Sequence, residues 1–280
     1  MEPAHDGRSS PSRPAPRRGP LGARHRPGRQ RPGPQPVGDD PGRHEHLDPL
    51  RARLGPGGGG RPRPLDDGHL RHVVATAEQA GMRVALTLLT HGHPDHAAGA
   101  ARFAELTGTR VRALDPALRL GDEGLAAGDV ITTGGLELRV VPTPGHTGDS
   151  LSFHLPADQA VLTGDTILGR GTTVVAHPDG RLGDYLDSLR RLRSLTVDDG
   201  VHTVLPGHGP VLDDAQGVVE YYLAHRAHRL AQVETAVEDG YRTPGQVVAH
   251  VYADVDRSLW PAAELSVRAQ LDYLEEHGLI

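Results

Sequence analysis

The chain alternates between two hydrophobic periods from about residue 70 onward, and Gly/Pro turns mark the changes. Residues 70–80 carry apolar side chains at helical spacing, with Gly81 placed as a C-cap. The apolar run 84–89 predicts a buried strand, and 97–106 predicts a helix. Short strands are predicted around 110–113, 130–132 and 136–141, followed by a strand pair at 151–155 and 160–162. An amphipathic helix over 185–195 and a strand over 201–205 come next. Residues 213–238 predict a long helix with Val218, Tyr222, Leu223, Leu230 and Val233 among its apolar positions. Thr243 as N-cap with Pro244 at the first helical position restarts the chain as a helix pair, 246–252 and 263–276. Strands alternating with helices predict an α/β domain, and the closing helix pair predicts an all-helical appendage.

The turns between these elements carry the chemistry. Four times an apolar strand runs into a Gly/Pro turn that presents His or Asp. The first is Thr90-His91-Gly92-His93-Pro94-Asp95-His96, at the carboxyl end of a strand, where α/β sheets place ligands. In extended backbone His91 and His93 point the same way, so they can grip one ion, while Asp95 and His96 are set apart and can grip a second. The later turns present His146 within residues 142–150, Asp165 after Thr163-Gly164, and His208 within Pro206-Gly207-His208-Gly209-Pro210. Imidazole nitrogen and carboxylate oxygen suit zinc and similar divalent ions. A single His in a Gly-rich turn is more often a surface residue than a ligand. Four strand-end sites together are hard to assign to chance, and seven ligands make two three-ligand sites plus one bridging carboxylate.

Composition narrows the setting. The 280 residues contain no cysteine, which excludes disulfides and thiolate ligands and is compatible with a reducing interior. No apolar run approaches the roughly 20 residues of a membrane span, and the Arg/Pro-rich start lacks the apolar core of a signal peptide, so the expected location is cytoplasmic. Charge is divided unevenly: residues 1–64 hold 13 Arg against 6 acids, residues 65–280 hold 17 Arg against 30 acids, and there is no Lys. Residues 241–280 carry three Arg and six acids, so the appendage lacks the basic face that phosphate contacts need. It is expected to pack or dimerise, without reading duplex DNA.

The HxHxDH block, the later His, the Gly-Asp and the Gly-His-Gly, in that order, resemble the metallo-β-lactamase-fold hydrolases. The resemblance implies an αββα sandwich over residues 65–238, followed by a winged-helix-like helical domain over 239–280. It further implies His91, His93 and His146 on one metal, Asp95, His96 and His208 on the other, and Asp165 bridging. The expected cofactors are two divalent ions, most readily Zn²⁺. Such a pair would lower the pKa of a bridging water and supply a hydroxide, with Asp95 placed to orient it and pass its proton on. The expected substrate is a small ester, thioester or phosphodiester, with RNA included because the matching branch contains an endoribonuclease. Glyoxalase-II-type thioester hydrolysis is the close rival, ranked lower because basic residues are scarce in the appendage. A non-enzymatic nucleic-acid binder is the reading from another class, and the acidic helix pair argues against it. His72, His154, His177, His202, His225 and His228 match no ligand position and are read as surface or packing residues. A near-site role is kept open for the pair His225-Arg226.

Fourteen of the 24 prolines lie in residues 1–64, which hold few sizeable aliphatics, so this segment is expected to be disordered. The resemblance implies two initial strands, a Thr-Leu-Asp-Gly-Thr-Asn-Thr turn and a Val-rich strand ending in Asp-Pro-Gly, and none of these is visible. Residues 39–48 can be encoded so that a reading one nucleotide later spells Met-Thr-Leu-Asp-Gly-Thr-Asn-Thr-Trp. Residues 57–64 can likewise yield Val-Val-Val-Val-Asp-Pro-Gly. The expectation is that this segment is a frame-shifted reading of the N-terminal strands, leaving one sheet short.

Overall fold

The structure, a computed structural model, describes residues 66–280. The expectations for residues 1–64, disorder and a shifted frame, lie outside the described residues. Helix α1 (Asp67–Gln79) opens the described chain, its Asp66 N-cap accepting from the His69 amide. Strand β1 (Thr87–Leu88) pairs in parallel with β2 (Val111–Arg112). Between them lie a single-turn helix, α2 (Pro94–Ala97), and α3 (Ala100–Thr107). A five-stranded sheet follows, ordered β3 (Val130–Thr133), β4 (Leu136–Pro142), β5 (Leu151–Leu155), β6 (Ala160–Gly164) and β7 (Thr203–Pro206). Helix α4 (Leu182–Asp198) crosses from β6 to β7, and α5 (Ala215–Glu238) leaves the sheet. Helices α6 (Pro244–Val251) and α7 (Trp260–Glu276) complete the chain.

Alternation along the central strands builds layers on both faces. Ala160 and Leu162 of β6 join Phe153, Leu138 and Leu151 in a core that also takes in Leu88 of β1. Val161, between them, faces a second core with Tyr185, Leu189, Val219 and Tyr222 of α4 and α5. Outside the β1–β2 layer, Phe103 packs with Leu70 and Val73, and Ala100 and Ala104 pack with Leu89 and Val111. The order is therefore helices, short sheet, five-stranded sheet, helices: an αββα sandwich. Full burial of Phe103, Phe153 and Tyr185 explains how a chain with 3% aromatic residues still fills these layers.

The C-terminal core joins Val247 and Val248 of α6 and Val267, Leu271 and Leu274 of α7 to Val233, Ala236 and Val237 of α5. Thr243 and Gln246 form a reciprocal capping box at the start of α6. Among the described residues no helix is long and apolar enough to cross a membrane.

Several predicted bounds move. The strand predicted over 84–89 has ladder pairing among the described residues only at Thr87–Leu88, because its one described neighbour, β2, is itself two residues long. The helix predicted over 97–106 is two helices, and Asp95 and His96 lie inside the first of them. Pro94 at the first helical position starts that turn early, and the chain breaks at Ala98–Gly99 before α3 begins. Helix α4 begins three residues earlier than predicted and α7 begins at Trp260.

Candidate metal centre

Strand direction gathers the chemistry at one edge. β4 runs antiparallel to β5, β5 antiparallel to β6, and β6 parallel to β7. The carboxyl ends of β4, β6 and β7 therefore share an edge, and their loops deliver His146, Asp165 and His208 there. The exit of β1 is tied to the same edge by the Leu151 amide, which donates to the Thr90 carbonyl over 2.8 Å. All seven residues singled out from the sequence converge. His93 Nδ1 lies 3.1 Å from His91 Nε2 and 3.0 Å from His146 Nε2. His208 Nε2 lies 3.2 Å from His96 Nε2 and 3.2 Å from Asp95 Oδ2. Asp165 stands between the two groups, Oδ1 at 3.2 Å from His96 Nε2, and Oδ2 at 3.3 Å from His208 Nε2 and 3.8 Å from His146 Nε2.

Proton counting tests whether this set suits a cation. The Val174 carbonyl, 2.8 Å from His146 Nδ1, can only accept, so His146 carries its proton on Nδ1 and presents a lone pair at Nε2. That lone pair and His91 Nε2 both face His93 Nδ1, which can supply at most one proton between them. Asp165 Oδ1 is buried and accepts no hydrogen bond, although His96 Nε2 stands only 3.2 Å away. Converging lone pairs and an orphaned buried carboxylate oxygen are costly alone and suited to a divalent ion. The residues fit the metal that the donor set implies.

Burial grades the site. His91 and His96 form its floor at 2% and 7% exposure, while Asp95 is exposed and marks the open side. Burial pushes the His91 imidazole down to about 2, helped by the neighbouring His96, so it stays neutral and available as a donor. Burial likewise lowers His146. Burial acts to raise Asp165, but the close approach of the His208 and His96 rings outweighs it and holds the carboxyl well below its usual range. The same contact with Asp165 raises His208.

Two glycines are required by close approach. A Cβ on Gly207 would lie 2.4 Å from Asp165 Oδ1 and 2.8 Å from His96 Cε1, inside the His/Asp cluster. Gly145, at φ +127°, lets the His146 loop pass where a Cβ would sit 2.3 Å from the Tyr185 backbone. Among the histidines read as non-ligands, His154 is buried in β5, His177 pairs with Asp272 at 2.8 Å and His202 contacts Thr203. The pair His225-Arg226 touches none of the seven directly; Arg226 reaches the Thr173 carbonyl instead. Sequence reasoning assigned no role to Thr90, Thr173, Val174 or Tyr185, which hold the loops of the candidate ligands; for Arg226 the near-site role left open above is met through the Thr173 carbonyl. The only signal for those four is their proximity to the His and Asp turns or to the apolar face of a predicted helix.

Comparison with known proteins places the chain in a family. Residues 40–208 match the metallo-beta-lactamase superfamily. The chain belongs to that superfamily. Residues 243–280 match the beta-lactamase associated winged helix domain, so the C-terminal helices are that domain in an acidic version. The chain is 30% identical over 233 residues to the beta-lactamase-like protein 2 homolog of Drosophila melanogaster, covering 75% of each. It is 33% identical over 174 residues to an atrochrysone carboxyl ACP thioesterase of Aspergillus fumigatus, covering 60% of this chain and about half (51%) of that one. A metallo-beta-lactamase family protein from Thermus thermophilus superposes with a TM-score of 0.61 at 25% identity, over 74% of this chain and 81% of that one. The chain is thus a hydrolase of the metallo-beta-lactamase fold with a His/Asp cluster suited to divalent metal.

Proposed function

We propose that the protein hydrolyses an acyl ester or thioester with two divalent ions, most readily Zn²⁺. One would be held by His91, His93 and His146, the other by Asp95, His96 and His208, with Asp165 shared. The observation that carries this reading is the position of Asp165, whose two oxygens face both histidine groups. When bound, such ions polarise a carbonyl and activate water near neutral pH. The chain's own residues do the rest. Asp95, on the open side beside His208, accepts a proton from the attacking water and hands it to the leaving group. The Val174 carbonyl fixes the tautomer of His146, and buried His91 keeps the floor neutral.

Charge favours an acyl substrate over RNA: the region from residue 65 onward holds 30 acids against 17 Arg, a surface that repels a polyanion. For the same reason duplex DNA is not a partner. The thioesterase named among the relatives supports the acyl reading.

The test is metal analysis of the purified protein, with a screen of short S-acyl thioesters, carboxyl esters and RNA, with and without chelator. Acyl turnover that chelator abolishes and Zn²⁺ restores is the expected result. Turnover that survives complete metal removal, or cleavage of RNA alone, overturns it.

A further inference from the structure

Arg226 on α5 is 9% exposed, yet no carboxylate among the described residues pairs with it. A guanidinium buried without a counter-ion is costly unless its contacts matter. Its contacts, Thr173 in the loop after β6 and Tyr185 on α4, both lead to residues 165–174. Nη2 donates to the Thr173 carbonyl, and the guanidinium carbon sits 5.0 Å from the centre of the Tyr185 ring. Thr173 passes this on through its own hydroxyl, which donates to the Asp165 carbonyl over 2.6 Å. Tyr185 donates to the neighbouring Thr166 carbonyl over 2.7 Å. The next residue, Val174, supplies the carbonyl that holds His146 Nδ1. One buried cation thus fixes the peptide lying between the supports of two ligand-type residues.

We propose that Arg226 is a positioning residue for the metal centre. It clamps the Thr173–Val174 peptide, through which the backbone of Asp165 and the ring of His146 are held in register. The inference rests on the metal reading above, but its support is the hydrogen-bond chain Arg226–Thr173–Asp165 and the adjoining Val174–His146 contact. It concerns α5, a helix that donates no ligand.

The experiment compares wild type with Arg226→Met, Thr173→Val, Thr173→Ser and the double variant Arg226→Met/Thr173→Val. Val219→Ala serves as a packing control, since Val219 is buried in α5 but makes no part of this chain of contacts. Two quantities are read: Zn²⁺ affinity by competition with a chromophoric chelator, and the His146 Nδ1–H resonance in metal-free protein. Arg226→Met and Thr173→Val should each weaken Zn²⁺ binding by roughly 10–100-fold, the usual cost of losing an outer support. The double variant should be no worse than the weaker single, because both break one chain. Thr173→Ser should bind as wild type, and the His146 signal should exchange faster in Arg226→Met. If Arg226→Met fails to fold, Thr173→Val against Thr173→Ser carries the comparison. Wild-type Zn²⁺ affinity in both single variants, additive losses in the double, or an equal loss in Val219→Ala overturns the proposal. If wild type itself binds no Zn²⁺, the metal reading falls, and the His146 signal still decides the positioning role.

Discussion

His91, His93, Asp95 and His96 come from one turn, whereas His146, Asp165 and His208 come from three loops far apart in the chain. The two halves of the centre are also held differently. Among the described residues the first half follows a strand with a two-residue ladder, and its added ties are the Leu151 amide on the Thr90 carbonyl and Thr90 Oγ1 against His91 Nδ1 at 3.1 Å. The second half follows strands of a five-stranded sheet and is braced by the Thr143–Ser152 pair, Thr173, Tyr185 and Arg226. Donors packed into one turn need little scaffolding, because covalent geometry already sets their spacing. Donors brought together from a distance need their loops fixed one by one, and the polar brace around residues 165–174 does that.

The largest effect that can break this contrast is loss of a donor from each half. Asp165→Ala should release both equivalents of metal and reduce turnover to background, because its oxygens serve both histidine groups. His93→Ala should also abolish turnover but release one equivalent and keep the other. Metal content by mass spectrometry separates these, and equal loss in the two variants would show that the halves do not differ in this way.

A smaller effect sharpens the contrast without removing any donor. Gly207→Ala pushes a methyl group against Asp165 and His96, where the two halves meet. We expect it to lower metal content and to destabilise the protein by about 1–3 kcal/mol, the usual cost of overpacking. Denaturant unfolding measures the second quantity, and a variant as stable and as metal-replete as wild type would refute the crowding.

The smallest effect is a pH dependence on the braced half. Burial, and then the charge of Arg226, push His225 down to about 4. The unfolded chain takes up this proton near the ordinary value of about 6.5, before the folded protein does. His225 therefore contributes no loss of stability above about pH 6.5, a growing loss as pH falls toward about 4, and a constant one below. With its partial exposure taken into account, the loss is on the order of 1 kcal/mol. His225→Gln should flatten the stability curve across that window by this amount, as read from urea midpoints; parallel curves would discount the effect.

The same contrast decides what could be read from the chain alone. The seven candidate residues were legible because each is a metal-ligating residue type at a Gly/Pro turn after an apolar run, a pattern fixed by local backbone rules. The sandwich was legible because strand and helix periods alternate from residue 70 onward. The braces were legible only as the open near-site role of His225-Arg226. Thr173 and Arg226 act through backbone carbonyls, and any residue supplies a carbonyl, so their partners leave no mark on the sequence. The short ladder that β1 shows among the described residues was hidden for a related reason: strand length depends on the neighbour as much as on the run itself. The break at Ala98–Gly99 was hidden among small residues that suit a helix or a turn equally well.

Helix α5, 24 residues and about 36 Å long, runs unbroken through two cores, with Val219 and Tyr222 in one and Val233 and Val237 in the other. Neither core can come apart while the helix stays wound in the other without exposing part of the stripe they share. We therefore expect amides along its middle turns to exchange slowly, in an opening event that the sandwich and the winged-helix unit share. For the hydrolase, the acidic C-terminal domain is then less a passenger than a lock: loosening it by substitution at Val247 or Leu274 should be felt as faster exchange at Arg226, about two turns along α5 from their shared contact Val233.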